Sequence, residues 1–508
     1  MRAIVVMLLS SLSLQAQPKK EALWAPPKDD QQYRKVVREP KDGKLTIPMT
    51  LHPMGVKIPL SRFYLTPQYS EMKPGNRVPT FMRAYMEQDN FYTRELREKR
   101  DILGDLVLED LVAQIKGNRE LGSAMIIGGL AYRKLDGDQL FYTRGRPLGD
   151  VDEGARQLTA DWQIWFNIRE DGIGTLLPEV QKMREHATLL KIRMRYELGT
   201  GDFEKAAYTA RTFYGLASSF ETHPTLIGLL VGIAIQSICL DAVEEMIQQP
   251  NCPNLYWSLT EIPAHVLDSR QAHGGERILS DTMFKPFTDA TGPMPESEIY
   301  RLMKLYDVAG SMTEVMNTSG VSRLKYNLDA PIRSTDAKKV AAARKLLVDT
   351  GMKADHVKSF SDLQAIVTAD IRKYELLLDE VLITGSLPFP DAMKAGEAAE
   401  KRLKDEGGPI AQFFIPTNRK VVAALARIQQ RVAYLRVVEA VRLYAHEHGG
   451  RLPAKLADCT VPIPLDPTTL KPFDYTVRDG VAMLSGGVAS YQPVDPRANR
   501  HYEIRVKK

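Results

Sequence analysis

The chain has 508 residues, 44% of them apolar, and its 68 basic and 63 acidic residues nearly cancel to a net charge of +5. The charges are interleaved, with no basic stripe carrying aromatics, which speaks against a nucleic-acid partner. Three cysteines are too few for a disulfide-dense scaffold, so a chain of this length must hold itself together with a buried core.

Residues 1–17 read as a secretory leader: Arg2 carries the charge, Ala3 to Leu14 is apolar or small, and Ala16 offers a cleavage position. The apolar stretch is shorter than the roughly 20 residues that span a bilayer. No cysteine follows it for lipid attachment. Export to the periplasm or the cell exterior is the expectation. Residues 18–59, with Pro26, Pro27, Pro40, Pro48, Pro53 and Pro59, read as an extended linker or a strap lying on the body.

From Pro79 to Pro453 helical patterning dominates, with breaks near Gly137–Asp150, Gly274–Gly275, Gly292–Pro293 and Leu387–Pro390. The expected units are 60–265, 266–415 and 416–508. In the segment Leu176–Leu198, the residues Val180, Met183, Ala187, Leu190, Met194 and Leu198 recur at helical spacing, and Leu189, Ile192 and Tyr196 form a second strip. A helix apolar on two sides must be covered from two directions. Gly199-Thr200-Gly201-Asp202 then supplies a C-cap glycine and an Asp N-cap before Phe203, Ala206, Ala210, Phe213 and Ala217, which predicts an αα-hairpin. Pro224 to Gln249 is almost unbroken apolar sequence and reads as a central buried helix. A membrane span is disfavoured, because Gln236, Ser237 and Asp241 interrupt the run.

Aromatics with polar tips flank these helices. Asp161, Trp162 and Trp165 precede the best-patterned one, and Asn254, Tyr256 and Trp257 follow the most apolar one. They either line a groove for a peptide or glycan or cap the core between layers. Cys239 reads as a small core residue, and Cys252 with Cys459 is the pair to test for a bridge.

Signatures of catalysis are scarce. His446-Glu447-His448 lacks the second histidine of the zinc-protease pattern, since position 450 is Gly, and two residues apart on a helix the imidazoles diverge by about 200°. Cys-x-x-Cys, Glu-x-x-His, Gly-x-Ser-x-Gly and phosphate-binding glycine loops are absent from the sequence. Ser-x-x-Lys at Ser70–Lys73 and Ser322–Lys325 lacks its companion elements. Pairs such as Asp105 with Glu109 and Glu244 with Glu245 read as solvated helix faces. No cofactor or metal is expected.

The C-terminal quarter runs as a helix from Val421 to His448, a break at Gly449-Gly450-Arg451-Leu452-Pro453, a loop Val461-Pro462-Ile463-Pro464-Leu465-Asp466-Pro467, then Tyr475 and a hairpin about Arg478-Asp479-Gly480. That order resembles the C-terminal half of the major pseudopilins of type II secretion. The chain lacks their membrane-helix start, and Gly486 to Gln492 lacks the acidic residues of their calcium loop. The strings Gly75–Pro79, Asp161-Trp162, Leu176–Glu179, Pro224–Ile227, Leu230–Ile235 and Pro253–Trp257 resemble an uncharacterised family of exported bacterial helical proteins. The resemblance implies export, a helical body and a pseudopilin-like tail, and no particular activity.

The expected fold is thus mainly α: an irregular αα-hairpin body, tetratricopeptide-like in its 198–206 turn, with a small C-terminal α+β module. The expected role is an exported, non-catalytic binding or scaffolding protein of the cell envelope, with an envelope protein or glycan as partner. An envelope hydrolase acting on peptidoglycan, glycan or protein, and an accessory component of a secretion system, are the alternatives.

Overall fold

A computed structural model describes residues 43–89, 100–117, 147–172, 175–263, 267–316, 336–414, 418–491 and 498–507. The leader 1–17 and the Ser322–Lys325 motif lie outside them. The protein is mainly helical.

The strap holds a strand, β1 (Leu45–Leu51), and a short parallel pair follows from β2 (Lys73–Asn76) and a later β3. Three helices come between them: α1 (Arg77–Asp89), α2 (Leu108–Gly117) and α3 (Pro147–Ala155). After β3 (Gln157–Thr159) come α4 (Trp165–Asp171), α5 (Pro178–Gly199), α6 (Phe203–Ser218), α7 (Leu226–Ile247) and α8 (Tyr256–Thr260). Residues 160–263 contain no strand among the described residues.

Helix α5 is buried on both apolar strips, as its spacing requires: Val180, Met183, Ala187, Leu190, Met194 and Leu198 on one, Leu189, Ile192 and Tyr196 on the other. It packs against α2, α6 and α7. The α5–α6 turn closes through Gly201 at φ +77° and the Asp202 side chain, which accepts from Lys205 N at 3.1 Å. Gly199 serves a different purpose, because a Cβ there would meet Val112 Cγ2 at 2.6 Å as α2 crosses.

Helix α7 begins at Thr225, whose hydroxyl accepts from Gly228 N at 3.1 Å. Among the described residues it is the one helix long and apolar enough to cross a membrane, and 67% of that stretch is buried inside the protein. Glu244 and Glu245 at its end are not the solvated pair expected from sequence. Glu245 takes the buried Arg195 of α5 at 2.7 Å, and Glu244 faces Arg431 at 2.9 Å, Arg500 at 2.6 Å and the Tyr502 hydroxyl at 2.6 Å. Asp105 does stand at the surface, paired with Lys191 at 3.2 Å.

A second helical group holds α9 (Arg270–Thr288), α10 (Glu296–Met316), α11 (Ala337–Asp349), α12 (Ala354–Ser359), α13 (Asp362–Thr384), α14 (Phe389–Glu406) and α15 (Pro409–Phe414). Its core centres on Phe284, Phe287, Tyr306, Ile371 and Tyr374, with a satellite about Leu347 and Phe360. Asn418 joins this group to the last helix, α16 (Asn418–Glu447): its amide donates to Val381 O at 2.8 Å and its carbonyl meets His273 Nε2 at 3.1 Å.

The chain ends in β4 (Asp474–Arg478), β5 (Val481–Ser485) and β6 (Arg500–Val506). β4 and β5 pair antiparallel through Asp479 and Gly480, both at positive φ, the twist a two-residue hairpin needs. The hairpin is half of a four-stranded sheet ordered β1-β6-β5-β4, in which β1 runs parallel to β6 from Leu45 opposite Arg500 to Leu51 opposite Val506. Residues 45–51 are therefore an edge of the C-terminal sheet and not a linker. The sheet packs on α16 through Tyr434, whose ring lies 4.6 Å from Phe473 and 5.1 Å from Tyr502. One core includes residues from Met49 to Ala272 together with Val421 to Ile504, so the segment 416–508 shares the core of the body.

Asp370 on α13 accepts from Ile410 N at 3.0 Å at the start of α15, and burial pushes its carboxyl up to about 6. The folded state then holds a proton that the unfolded state releases, so stability falls as pH rises from about 4 to 6 and is flat above. Asp370→Asn keeps an acceptor without the charge. Thermal unfolding should show it about 1–2 kcal/mol more stable than the parent at pH 7.5 and no better at pH 4; parallel pH profiles would remove Asp370 as the source.

Candidate functional site

The loop that leaves α7 is bolted to α16 by a buried ion pair. Glu439 and Arg442 are one turn apart, both fully buried, and 3.0 Å from each other. The Glu439 carboxylate accepts from Asn254 Nδ2 at 2.8 Å and from Leu255 N at 3.0 Å, while Glu439 O takes the same amide at 2.9 Å. Arg442 donates from Nη2 to Cys252 O, from Nη1 to Pro253 O at 3.4 Å and from Nε to His52 O at 2.8 Å. Burial raises the Glu439 carboxyl, and the guanidinium opposes that rise. The polar groups of the two side chains are thus engaged, as charges removed from water require.

On the outer side of this loop lies an open cleft of about 370 Å³. Three segments wall it: the end of the strap with Lys57 and the turn after it with Phe63, the α5–α6 turn from Thr200 to Glu204, and Asn251 with Pro253. The strap is fixed to the loop, since Asn254 N donates to Gly55 O at 3.1 Å. Two carboxylates at the rim already have basic partners, Asp202 with Lys205 at 3.0 Å and Glu204 with Arg62 at 3.3 Å. Lys57 is exposed, with its Nζ 5.6 Å from the centre of the buried Phe63 ring. Among the described residues neither its ammonium nor the exposed Asn251 amide has an ionic or hydrogen-bonding partner. Asn251 adopts φ +63°, a left-handed conformation that asparagine tolerates.

Compared with family models, with curated proteins and with solved structures, the chain has no match. The reading of the site therefore rests on its geometry.

The six residues proposed from sequence divide into two groups with different partners. Trp162 is 6% exposed, donates from Nε1 to Ser219 O at 2.9 Å, and packs its ring against Phe220 at 4.7 Å and His223 at 4.8 Å. Asp161 is exposed and accepts from Gln163 N at 3.1 Å, and Trp165, half-buried, opens α4. Asn254 and Tyr256 are buried in the joint, the Tyr256 hydroxyl donating to Pro462 O. Trp257 alone of the second trio is exposed, at 40%, edge-on to Tyr256 at 5.0 Å. Trp162, Asn254 and Tyr256 are buried against the core, where a buried N–H or O–H must find an acceptor and nearby backbone carbonyls and Glu439 provide one. The cleft residues Lys57, Phe63 and Asn251 carried no periodic signal in the sequence, whereas the Gly201-Asp202 turn did.

All three cysteines are unpaired. Cys252 lies under Arg442 with its thiol directed at Pro253 O, and the pair named for testing, Cys252 with Cys459, is not bridged. Burial pushes all three thiols up to about 12, which keeps them from the reactive thiolate form. His446 and Glu447 are exposed, and His448 stacks on Tyr444 at 3.8 Å, in keeping with solvated histidines at a helix end. Among the described residues no group of three His, Cys, Asp or Glu is placed to hold a metal ion.

Removing one member of the joint should be costly. Arg442→Met leaves Glu439 buried without its cation and should lower stability by about 3–5 kcal/mol, measured by denaturant unfolding; a loss below about 1 kcal/mol would show the joint to be dispensable. Alkylation should modify Cys252 and Cys239 only after unfolding, with no disulfide found by mass under non-reducing conditions. Rapid labelling of Cys252 in the native protein would contradict its placement.

Proposed function

We propose that the chain is an exported, non-catalytic helical protein that binds a component of the cell envelope. The observation that supports this is the cleft at the α5–α6 turn, lined by the Lys57 ammonium and the Asn251 amide, which have no ionic or hydrogen-bonding partner among the described residues. Its volume lies in the range of small-ligand sites. Several buried charged groups elsewhere are engaged in joints between elements, as in Arg193 with Asp152 at 2.8 Å, Arg195 with Glu245 and Glu439 with Arg442. Export rests on the leader read at residues 1–17.

Within this reading the α5–α6 hairpin is tetratricopeptide-like and the order of helix, glycine break, loop and hairpin in 418–485 is pseudopilin-like. The β1 and β6 strands are additions to that order. A secretion-accessory role would draw on this segment alone, yet α16 supplies part of the main core, so any partner must meet the segment as part of the whole body.

A hydrolase reading finds its support at Glu221. Burial and the neighbouring Asp268 raise its carboxyl to about 7, against the opposing Arg77, a value suited to a general acid. Glu221→Gln separates the readings: turnover of envelope glycan or peptide that this change abolishes would favour the hydrolase.

For the binding reading, the full chain should be retained by isolated envelope fractions without releasing soluble fragments. Lys57→Glu should reduce retention about tenfold and leave the unfolding temperature within about 2 °C of the parent. Retention unaffected by this reversal would overturn the assignment of the cleft.

A further inference from the structure

We infer that the cleft takes the C-terminal carboxylate end of a peptide; this rests on the binding reading above and names the chemistry of its ligand. The charges at the cleft are not equivalent. Asp202 and Glu204 each face a basic partner, through Lys205 and Arg62, so the charge left without a counter-ion is the positive one on Lys57. Its ammonium stands over the Phe63 ring, 5.6 Å from the ring centre, which limits the freedom it loses on binding an anion.

A carboxylate has two oxygens, and the cleft has two free donors of different kinds, the Lys57 ammonium and the Asn251 amide. Charge-assisted hydrogen bonds from such donors are about twice as strong as neutral ones. The peptide N–H groups that precede a C-terminal carboxylate need acceptors. Glu204 meets Arg62 through Oε1, which leaves Oε2 for that purpose. Phe203, half-buried at the cleft, supplies apolar surface for the terminal side chain. Capture of a chain end by a cation and fixed polar groups is an established mode of peptide recognition. A neutral sugar would leave Lys57 without its counter-charge.

The test uses the full chain at low salt and fluorescence anisotropy of N-terminally labelled tripeptides, each prepared as the free acid and as the C-terminal amide. Free acids should bind and the matching amides should bind about tenfold more weakly, the loss of one charge-assisted contact. Lys57→Met, which removes the ammonium and keeps an unbranched side chain, should lower affinity for the acids about tenfold and not for the amides. Asn251→Gly, which suits the positive φ, should weaken the acids several-fold. Unchanged melting temperatures show that both variants are folded. Equal binding of acid and amide, or acids unaffected by Lys57→Met, overturns the inference. Binding of N-acetylmuramic acid but of no peptide, lost in Lys57→Met, overturns the peptide end while the cleft remains a binding site. Absence of binding by every probe removes both.

Discussion

The architecture depends on the pair formed by Glu439 and Arg442. Three segments distant in sequence meet on these two side chains: the strap at His52, the loop Cys252–Leu255 and helix α16. Hydrophobic burial alone sets no register between such segments, because apolar contacts are non-directional. A fully buried carboxylate and guanidinium are satisfied only when each partner sits at hydrogen-bond distance. The cleft inherits its rigidity from this, since Pro253 is gripped from behind by Arg442 and the strap is tied to Asn254 through Gly55.

The same device recurs on α5 and α7. Arg193 meets Asp152 through two contacts of 2.8 Å, while Thr212 donates to the same carboxylate at 2.5 Å, joining α3, α5 and α6. Arg431 of α16 reaches Asp241 and Glu244 of α7, and Arg500 of β6 converges on Glu244. Buried pairs of this kind contribute little net stability over apolar side chains of equal volume, but breaking one is costly. Their value here is positional: helices with apolar residues all round could slide or rotate, and the charges hold one arrangement. Asp466 does similar work in the C-terminal loop, accepting from Thr468 N at 2.8 Å, Gly487 N at 2.6 Å and the Gln430 amide at 3.1 Å. A neutral amide thus meets that carboxylate.

What could be read from sequence was what local periodicity and turn chemistry encode. The spacing of Val180, Met183, Ala187, Leu190 and Met194 gave α5 and its two-sided burial, and Asp479-Gly480 gave the hairpin. Charged residues misled where their partners are distant, because Glu244 and Glu245 look solvated until Arg195, Arg431 and Arg500 on other elements are known. Sheet pairing between β1 and β6 was invisible for a related reason: parallel strands need no turn between them, so nothing near Leu45 announces Arg500. Of the aromatics in the candidate groove, Trp165 opens α4 and Tyr256 opens α8. Whether a Trp at such a place faces inward depends on an acceptor such as Ser219 O, which only the fold supplies.

The parallel pairing of β1 with β6 sets the order in which the molecule can assemble. Several hundred residues separate Leu45 from its partner Arg500, so the edge at Leu45–Leu51 must wait, unpaired, until all of them have been made. Long-range pairing of this sort is slow, because loop closure precedes any gain from contacts. Until that pairing closes, the unpaired N–H and C=O groups of the strand stand open to other chains.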